Sequence, residues 1–338
     1  MSARRDLGLA AVAKRAGVST ATVSNALNRP EIVRAETRER IQKAIDELDF
    51  VPNRAAATLR QGHNRLLGLV IPDITNPFYA AIVDAVVDAA DRERYAVALC
   101  ASHDDPARER RHLSVLAEQR AAGAIVVPLT ADSSRLAHLR LIGSRLIIVD
   151  RVADTAENCS VAVDDVYGGR LAVEHLLTCV GEGITLVNGP TSIPQCASRR
   201  EGALAALTEH DGPQARLTEY EVAEMTIDAG FEVGVRVAAD GAPRRIFCTN
   251  DQLATGVMRG LASAGVRVPD EASVVGYGDL SLASPEHDVL TSVNQPKQAL
   301  GAEAVQLLLE ELTEGDRHEH EARMLRPELV LRSSTRSR

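Results

Sequence analysis

From Leu66 onward the chain alternates short apolar runs with longer amphipathic stretches, and this alternation constrains the fold more than any other feature. Apolar runs near 66–71, 97–100, 124–127, 146–149, 160–163, 184–188, 245–248 and 272–276 read as strands buried on both faces. Helical periodicity fills the intervals near 78–93, 106–121, 166–179, 199–210, 226–240, 251–264 and 297–313. Such alternation builds βαβ units and parallel sheets. About a dozen strands over roughly 270 residues are too many for one open sheet, so two doubly wound lobes are expected. Ligands of such sheets bind at the carboxyl ends of strands, and between lobes where there are two. The turns at those ends are polar: 73–79, 150–151, 189–199, 250–251, 276–279 and 294–296. No internal sequence repeat or low-complexity tract is present.

Residues 9–28 have a different character. Leu9, Val12, Ala13 and Ala16 share one face of a short helix. Gly17 permits the left-handed turn that ends it, Val18 packs beneath, and Ser19 caps a second helix. That helix buries Val23, Ala26 and Leu27. Its other face shows Thr20, Ala21, Ser24, Asn25 and Asn28, small and polar with no acid, as a helix lying in a major groove requires. A third helix is expected over about 35–48, with Ile41, Ala44, Ile45 and Leu48 inward. Pro52 ends this small domain, and residues 53–62 read as a marginal helix that folds when docked.

Charge supports the division. The whole chain carries −9, but residues 1–62 hold 11 Lys/Arg against 7 Asp/Glu, and the remainder 27 against 40. Only the basic head suits a polyanion. Five cysteines without a C-x-x-C spacing predict buried, reduced thiols. The N-terminus lacks an apolar signal region and no stretch is long enough to span a membrane, so a cytoplasmic protein is expected.

The ordered motifs complete the reading. They are A-G-V-S-x-x-T-V-S-x-x-L-N at 16–28, T-R-x-x-I at 37–41, P-N-x-x-A-x-x-L-R at 52–60 and the run from Leu67 to Phe78. V-D-R at 149–151, R-x-x-G at 199–202, T-N-D at 249–251, Q-P at 295–296 and P-E-L-V-x-R-x-S-T at 327–335 follow. Together they resemble the lactose-repressor (LacI/GalR) family of bacterial transcription regulators over nearly the whole chain. The resemblance implies an all-α helix-turn-helix head on residues 1–52, a hinge helix on 53–62 and an α/β two-lobed body on 63–338. That body is periplasmic-binding-protein-like (type I), with doubly wound parallel sheets, its N-lobe on about 63–160 and 292–322 and its C-lobe on about 161–291 and 323–338. It further implies a repressor that binds a pseudo-palindromic double-stranded DNA operator as a homodimer, associated with the nucleoid when bound. A small effector, a sugar or sugar derivative by the polar loops and the Asp-Arg pair, with a nucleoside or phosphorylated metabolite as the next choice, would occupy the cleft between lobes. The extra tetramerising heptads of the lactose repressor are not evident after Arg332.

By family position Thr20, Ala21 and Asn25 read bases, and Ser19, Thr22, Ser24 and Asn28 contact phosphates. Asn53, Ala56, Leu59 and Arg60 belong to the hinge, with Leu59 as the minor-groove wedge. Asn76, Phe78, Tyr79, Asp150, Arg151, Arg199, Asn250 and Gln295 face the effector. The family's effector-binding Asp is replaced by glycine in Gly276-Tyr277-Gly278-Asp279, with Asp279 as the candidate substitute. Helix caps depart too: Gly8 and Arg34 stand where Ser or Thr is usual, and Ala11 replaces an Asp. Arg199, read as lying at a helix start, is expected to serve the ligand, so that Arg199→Ala keeps the fold. Gly278→Asp is expected to change which ligands are accepted. His318-Glu319-His320 reads as a solvated charged loop, and no metal, cofactor or catalytic group is expected. A cytosolic solute-binding protein or an α/β enzyme acting on a small polar metabolite is the alternative; the basic head counts against the first, the lack of a G-x-S-x-G or phosphate loop against the second.

Overall fold

The computed structural model describes residues 8–50, 64–129, 145–209, 216–280 and 288–336. In chain order its main elements are α1 (Leu9–Ala16), α2 (Thr20–Asn28), α3 (Ala35–Glu47), β1 (Leu66–Ile71), α4 (Pro77–Arg92), β2 (Ala96–Ala101), α5 (Pro106–Glu118), β3 (Gly123–Val126), β4 (Arg145–Val149) and β5 (Cys159–Val163). There follow α6 (Asp165–Thr178), β6 (Ile184–Asn188), α7 (Pro194–Thr208), β7 (Leu217–Glu221), α8 (Ile227–Asp240), β8 (Arg245–Cys248), α9 (Asp251–Ser263), β9 (Ser273–Gly278), β10 (Thr291–Asn294), α10 (Lys297–Glu314), β11 (Ala322–Leu325) and β12 (Glu328–Val330). They form two units, Met1–Asn64 and Arg65–Arg338.

In the first unit, three helices close around Val12, Ala16, Val23, Ile41, Ala44 and Phe50. Gly17 takes φ +67° and its N–H bonds the Ala13 carbonyl, ending α1. Ser19 Oγ accepts the Thr22 N–H at 3.1 Å and starts α2. Gly8 and Arg34 supply no side-chain cap to α1 and α3. Leu9, expected on the buried face, is 38% exposed; it is the first residue of α1, ahead of the turn that Val12 and Ala16 bury.

The second unit contains two six-stranded sheets, in the orders β11-β5-β4-β3-β1-β2 and β12-β10-β9-β8-β6-β7. Every pairing is parallel except β10 with β12. The order of the first five strands is the same in both, so the lobes repeat one doubly wound topology although the sequence shows no repeat. Helices on both faces give each sheet two cores. Leu69, Ile82 and Leu308 lie on one side of the first sheet, and Leu113, Val126 and Ile148 on the other. Val257 and Ile246 face Val173 and Phe247 similarly across the second. All five cysteines are free, four of them buried.

The chain passes between sheets after β5, after β10 and between β11 and β12. The lobe boundaries expected at 160, 291 and 322 therefore move to about 164, 295 and 326. Each expected boundary cut a strand or its edge, and a strand stays whole in one ladder. Helix α7 also begins earlier than expected, because Pro194 occupies its first turn, where its missing N–H costs nothing.

Candidate functional site

The outward face of α2 is built by the same residues that fold it. Val23 is wholly buried, which turns Thr20, Ala21 and Asn25 outward, and all three are exposed. Ser19 is exposed, while Thr22 and Ser24 are half-buried beside them. Ser19 and Thr22 hydroxyls also bond each other at 2.8 Å. An exposed Asn on a helix free of acids suits an adenine edge, and the hydroxyls suit phosphate oxygens. Asn28 ends α2; Asn53, Ala56, Leu59 and Arg60 lie outside the described residues.

In the second unit a cavity of about 240 Å³ opens where strands of both lobes end. Eight of the nine expected ligand residues line it: Asn76, Phe78, Tyr79, Asp150, Arg151, Arg199, Asn250 and Gln295. Asn76 and Asn250 do so as helix N-caps. Asn76 Oδ1 accepts the Phe78 N–H at 3.0 Å, and Asn250 Oδ1 accepts that of Leu253 at 2.7 Å while its Nδ2 donates to Met225 O. Two helix N-termini, with their partial positive charge, therefore face the cavity. Phe78 belongs both to the lobe core and to the cavity wall, edge-on to Tyr79 with ring centroids 5.3 Å apart.

Asp150 follows β4 in the left-handed region, φ +66°, and is 8% exposed. Gln195 of the other lobe donates to its carbonyl at 2.8 Å and to Oδ2 at 2.9 Å. Oδ1 is buried without a hydrogen-bond partner among the described residues. Burial, then the neighbouring Asp165, push this carboxyl up to about 7, against the opposing charges of Arg199 and Arg151. Arg151 donates to Leu129 O, and among the described residues no ion pair joins it to Asp150. Gln295 is 4% exposed and its Nε2 also lacks a partner among the described residues. The cavity thus holds one unsatisfied carboxyl oxygen, an acceptor when Asp150 is ionised and a donor when it is protonated, and one unsatisfied amide donor. Unpaired buried polar atoms are costly, and a polar ligand would relieve both.

Four expectations need correction. Arg199 stands in the second turn of α7, not at a helix start, and, besides lining the cavity, it is held by the fold. Its Nε bonds Asp165 Oδ1 at 2.8 Å, its Nη1 bonds Thr249 O at 2.7 Å, and its guanidinium stacks 3.8 Å from the Tyr277 ring centroid. Asp279 does not line the cavity: its carboxylate pairs with Arg332 at 2.7 Å. Gly278 does line it, at φ +129°, and an added Cβ would meet Leu280 Cγ at 3.1 Å and Asp251 Oδ2 at 3.5 Å. An Asp there would be strained and set beside another carboxylate. The 318–320 loop is only partly solvated: Glu319 is exposed, but the His318 side chain is 5% exposed and His320 is half-buried.

Gln195, Asp165 and Tyr277 were not singled out in the sequence. Gln195 and Tyr277 fall in polar strand-end loops, but nothing local distinguishes them. Asp165 follows the apolar run of β5, a position that should have drawn notice. A neighbouring cavity of about 460 Å³ shares Pro128, Asp150, Arg151 and Gln195 with it, and of the expected ligand residues only Asp150 and Arg151 line it.

Comparison with known proteins agrees with this arrangement. Residues 9–53 match the model described as bacterial regulatory proteins, lacI family, and residues 173–335 that of a periplasmic binding protein-like domain. The chain is 31% identical over 335 residues to the HTH-type transcriptional repressor PurR of Vibrio atlanticus (strain LGP32), covering 96% of this chain and 98% of the relative. Its structure resembles that of the lac repressor dimer bound to operator and the anti-inducer ONPF, with a TM-score of 0.82, 28% identity, and 96% and 97% of the two chains covered. It also resembles the transcriptional regulator CelR in complex with cellobiose, with a TM-score of 0.70, 27% identity, and 96% and 99% covered. The exposed acid-free helix and the two-lobed body with its inter-lobe cavity are joined in one chain because it belongs to the lacI family of bacterial regulatory proteins.

Proposed function

We propose that this regulator is a repressor whose operator affinity is set by a small polar ligand, sugar-like in its hydroxyl pattern, in the cavity around Asp150 and Gln295. The pair of buried, unpartnered atoms, Asp150 Oδ1 and Gln295 Nε2, carries the reading. A hydroxyl can donate to the first and accept from the second, and Phe78 and Tyr79 offer an apolar wall to ring C–H groups. The 240 Å³ volume lies just below the range of about 300–1,000 Å³ typical of drug-sized ligands, which favours a small one. Relatives that bind cellobiose or an operator support the same assignment. The protein is a regulator, not an enzyme.

The head reads DNA through Thr20, Ala21 and Asn25, with Ser19, Thr22, Ser24 and Asn28 on phosphates. In residues 53–62, which lie outside the described residues, Asn53, Ala56, Leu59 and Arg60 are assigned to operator contact, with Leu59 as the minor-groove wedge. Two copies associate through the body. Strand β2, Ala-Val-Ala-Leu-Cys-Ala, is apolar although it forms a sheet edge, with Leu99 38% exposed. An uncovered apolar edge invites pairing, and a second copy would bury it. The dimer acts in the cytoplasm, on the nucleoid when bound to operator. Among the described residues, no helix is long and apolar enough to cross a membrane.

A thermal-shift screen of sugars, nucleosides and phosphorylated metabolites tests the cavity. A ligand at about 100 times its Kd adds roughly 2.7 kcal/mol of stability. The shift should appear with a sugar-like compound and vanish in Gln295→Ala. A shift that survives this change would place the ligand elsewhere.

A further inference from the structure

Outside the lining of this cavity, four side chains from three segments meet beside the first lobe's edge strand β11. Cys159 opens β5, Glu311 lies near the end of α10, and His318 and His320 stand on the segment leading to β11. Cys159 Sγ lies 3.1 Å from His318 Nε2 and 3.6 Å from His320 Nδ1. A carboxylate oxygen of Glu311 completes the group, and all four candidate ligand atoms fall within 4.8 Å of one another. Cys159 is wholly buried and Glu311 is 3% exposed. Arg145 approaches Glu311 Oε1 at 3.5 Å, but Oε2 is buried with no hydrogen-bond partner among the described residues.

The surroundings orient the donors. Glu314 Oε2 lies 2.7 Å from His318 Nδ1, so Nδ1 carries the proton and the Nε2 lone pair points at the sulfur. A carboxylate behind the imidazole is the usual support of a metal-bound His. The Glu321 backbone N–H donates to Cys159 Sγ at 3.4 Å and fixes the position of the sulfur. Without an ion, Glu311 Oε2 stays buried and unpartnered among the described residues, beside a sulfur and two imidazoles. A dication at the centre of the group would satisfy that oxygen.

We propose that Cys159, Glu311, His318 and His320 form a tetrahedral site for one divalent transition-metal ion, zinc by the chemistry of its donors. With Zn–S at about 2.3 Å and Zn–N at about 2.0–2.1 Å, tetrahedral geometry sets sulfur and nitrogen roughly 3.6 Å apart. The observed 3.1 and 3.6 Å need only small adjustment. One thiolate, two imidazoles and one carboxylate suit zinc; calcium and magnesium take oxygen donors, and copper(II) prefers a tetragonal site. The ion would tie β5, the strand before the first crossing between lobes, to the segment entering β11, the strand before the third.

The test uses the full chain, purified without a histidine tag, stripped with a chelator and titrated with Co²⁺ as an optical probe. The site predicts one equivalent bound, intense visible bands of tetrahedral cobalt, a thiolate charge-transfer band in the near ultraviolet, and stoichiometric displacement by Zn²⁺. Because Cys159 is buried, the deciding variants are His318→Gln and His320→Gln, singly and together, each of which should lose the tetrahedral spectrum. Glu314→Gln should weaken binding about 10–100-fold. The chain has nine histidines, so loose uptake elsewhere is expected to give only weak octahedral bands. A stripped chain that takes up no stoichiometric Co²⁺, or a double variant with an unchanged spectrum, overturns the assignment.

Discussion

Arg199→Ala should cost the body several kcal/mol of stability before any question of ligand arises. Arg199 is 7% exposed and its partner Asp165 is 8% exposed. Truncation leaves a buried carboxylate without its cation and the Thr249 carbonyl without a donor. Breaking a buried pair from one side typically costs about 3–5 kcal/mol. Loss of the stacking on Tyr277 adds to this. Asp165 keeps its 2.7 Å bond from the Tyr277 hydroxyl, which holds the figure toward the lower end. At roughly 2–4 °C per kcal/mol for a body of this size, the melting temperature should fall by about 6–20 °C. Calorimetry of the ligand-free chain measures it. Adding Asp165→Asn should restore part of the loss, because the orphaned charge is what destabilises. An Arg199→Ala chain that melts with wild type would mean that the guanidinium serves only a ligand, and the network described above would be misread.

Three further outcomes are expected. Asn25→Ala should relax base preference at one symmetric operator position, at a cost of about 1–3 kcal/mol; a uniform loss over all sequences in a binding-site selection would make Asn25 a phosphate contact. Because the folded chain favours the neutral Asp150 carboxyl, its contribution is greatest at acid pH and is lost as pH rises from about 4 to about 7. Asp150→Asn should flatten that part of the stability profile, and an unchanged slope in denaturant titrations would reassign it. Gly278→Asp should lower the melting temperature, at about 1–3 kcal/mol for the strained backbone, without creating a new ligand preference; a stable variant with altered ligand choice would refute this.

Features encoded by neighbours in sequence were legible there. Gly17 and Ser19 declare the turn and cap of the head, and eight β-branched apolar runs declare eight strands. β7, β10, β11 and β12 escaped because Leu-Thr-Glu-Tyr-Glu, Thr-Ser-Val-Asn and the half-exposed edges carry too little apolar pattern. The cavity residues were legible through motifs, but the division of labour among them was not. That Asn250 caps a helix and Asp279 pairs with Arg332 depends on partners brought together only by the fold. The same holds for Arg199, whose partner Asp165 is 34 residues away, and for His318, whose partner Cys159 is 159 residues away.

The central claim is that a ligand in the Asp150–Gln295 cavity sets operator affinity. Titrating labelled operator DNA with the full chain, with and without the compound found by screening, tests it most directly. The account predicts a change in operator Kd of about 5–150-fold, an equal change in ligand affinity when operator is present, and loss of both in Gln295→Ala with ligand-free operator binding unchanged. A compound that saturates the cavity yet leaves operator affinity the same would contradict it.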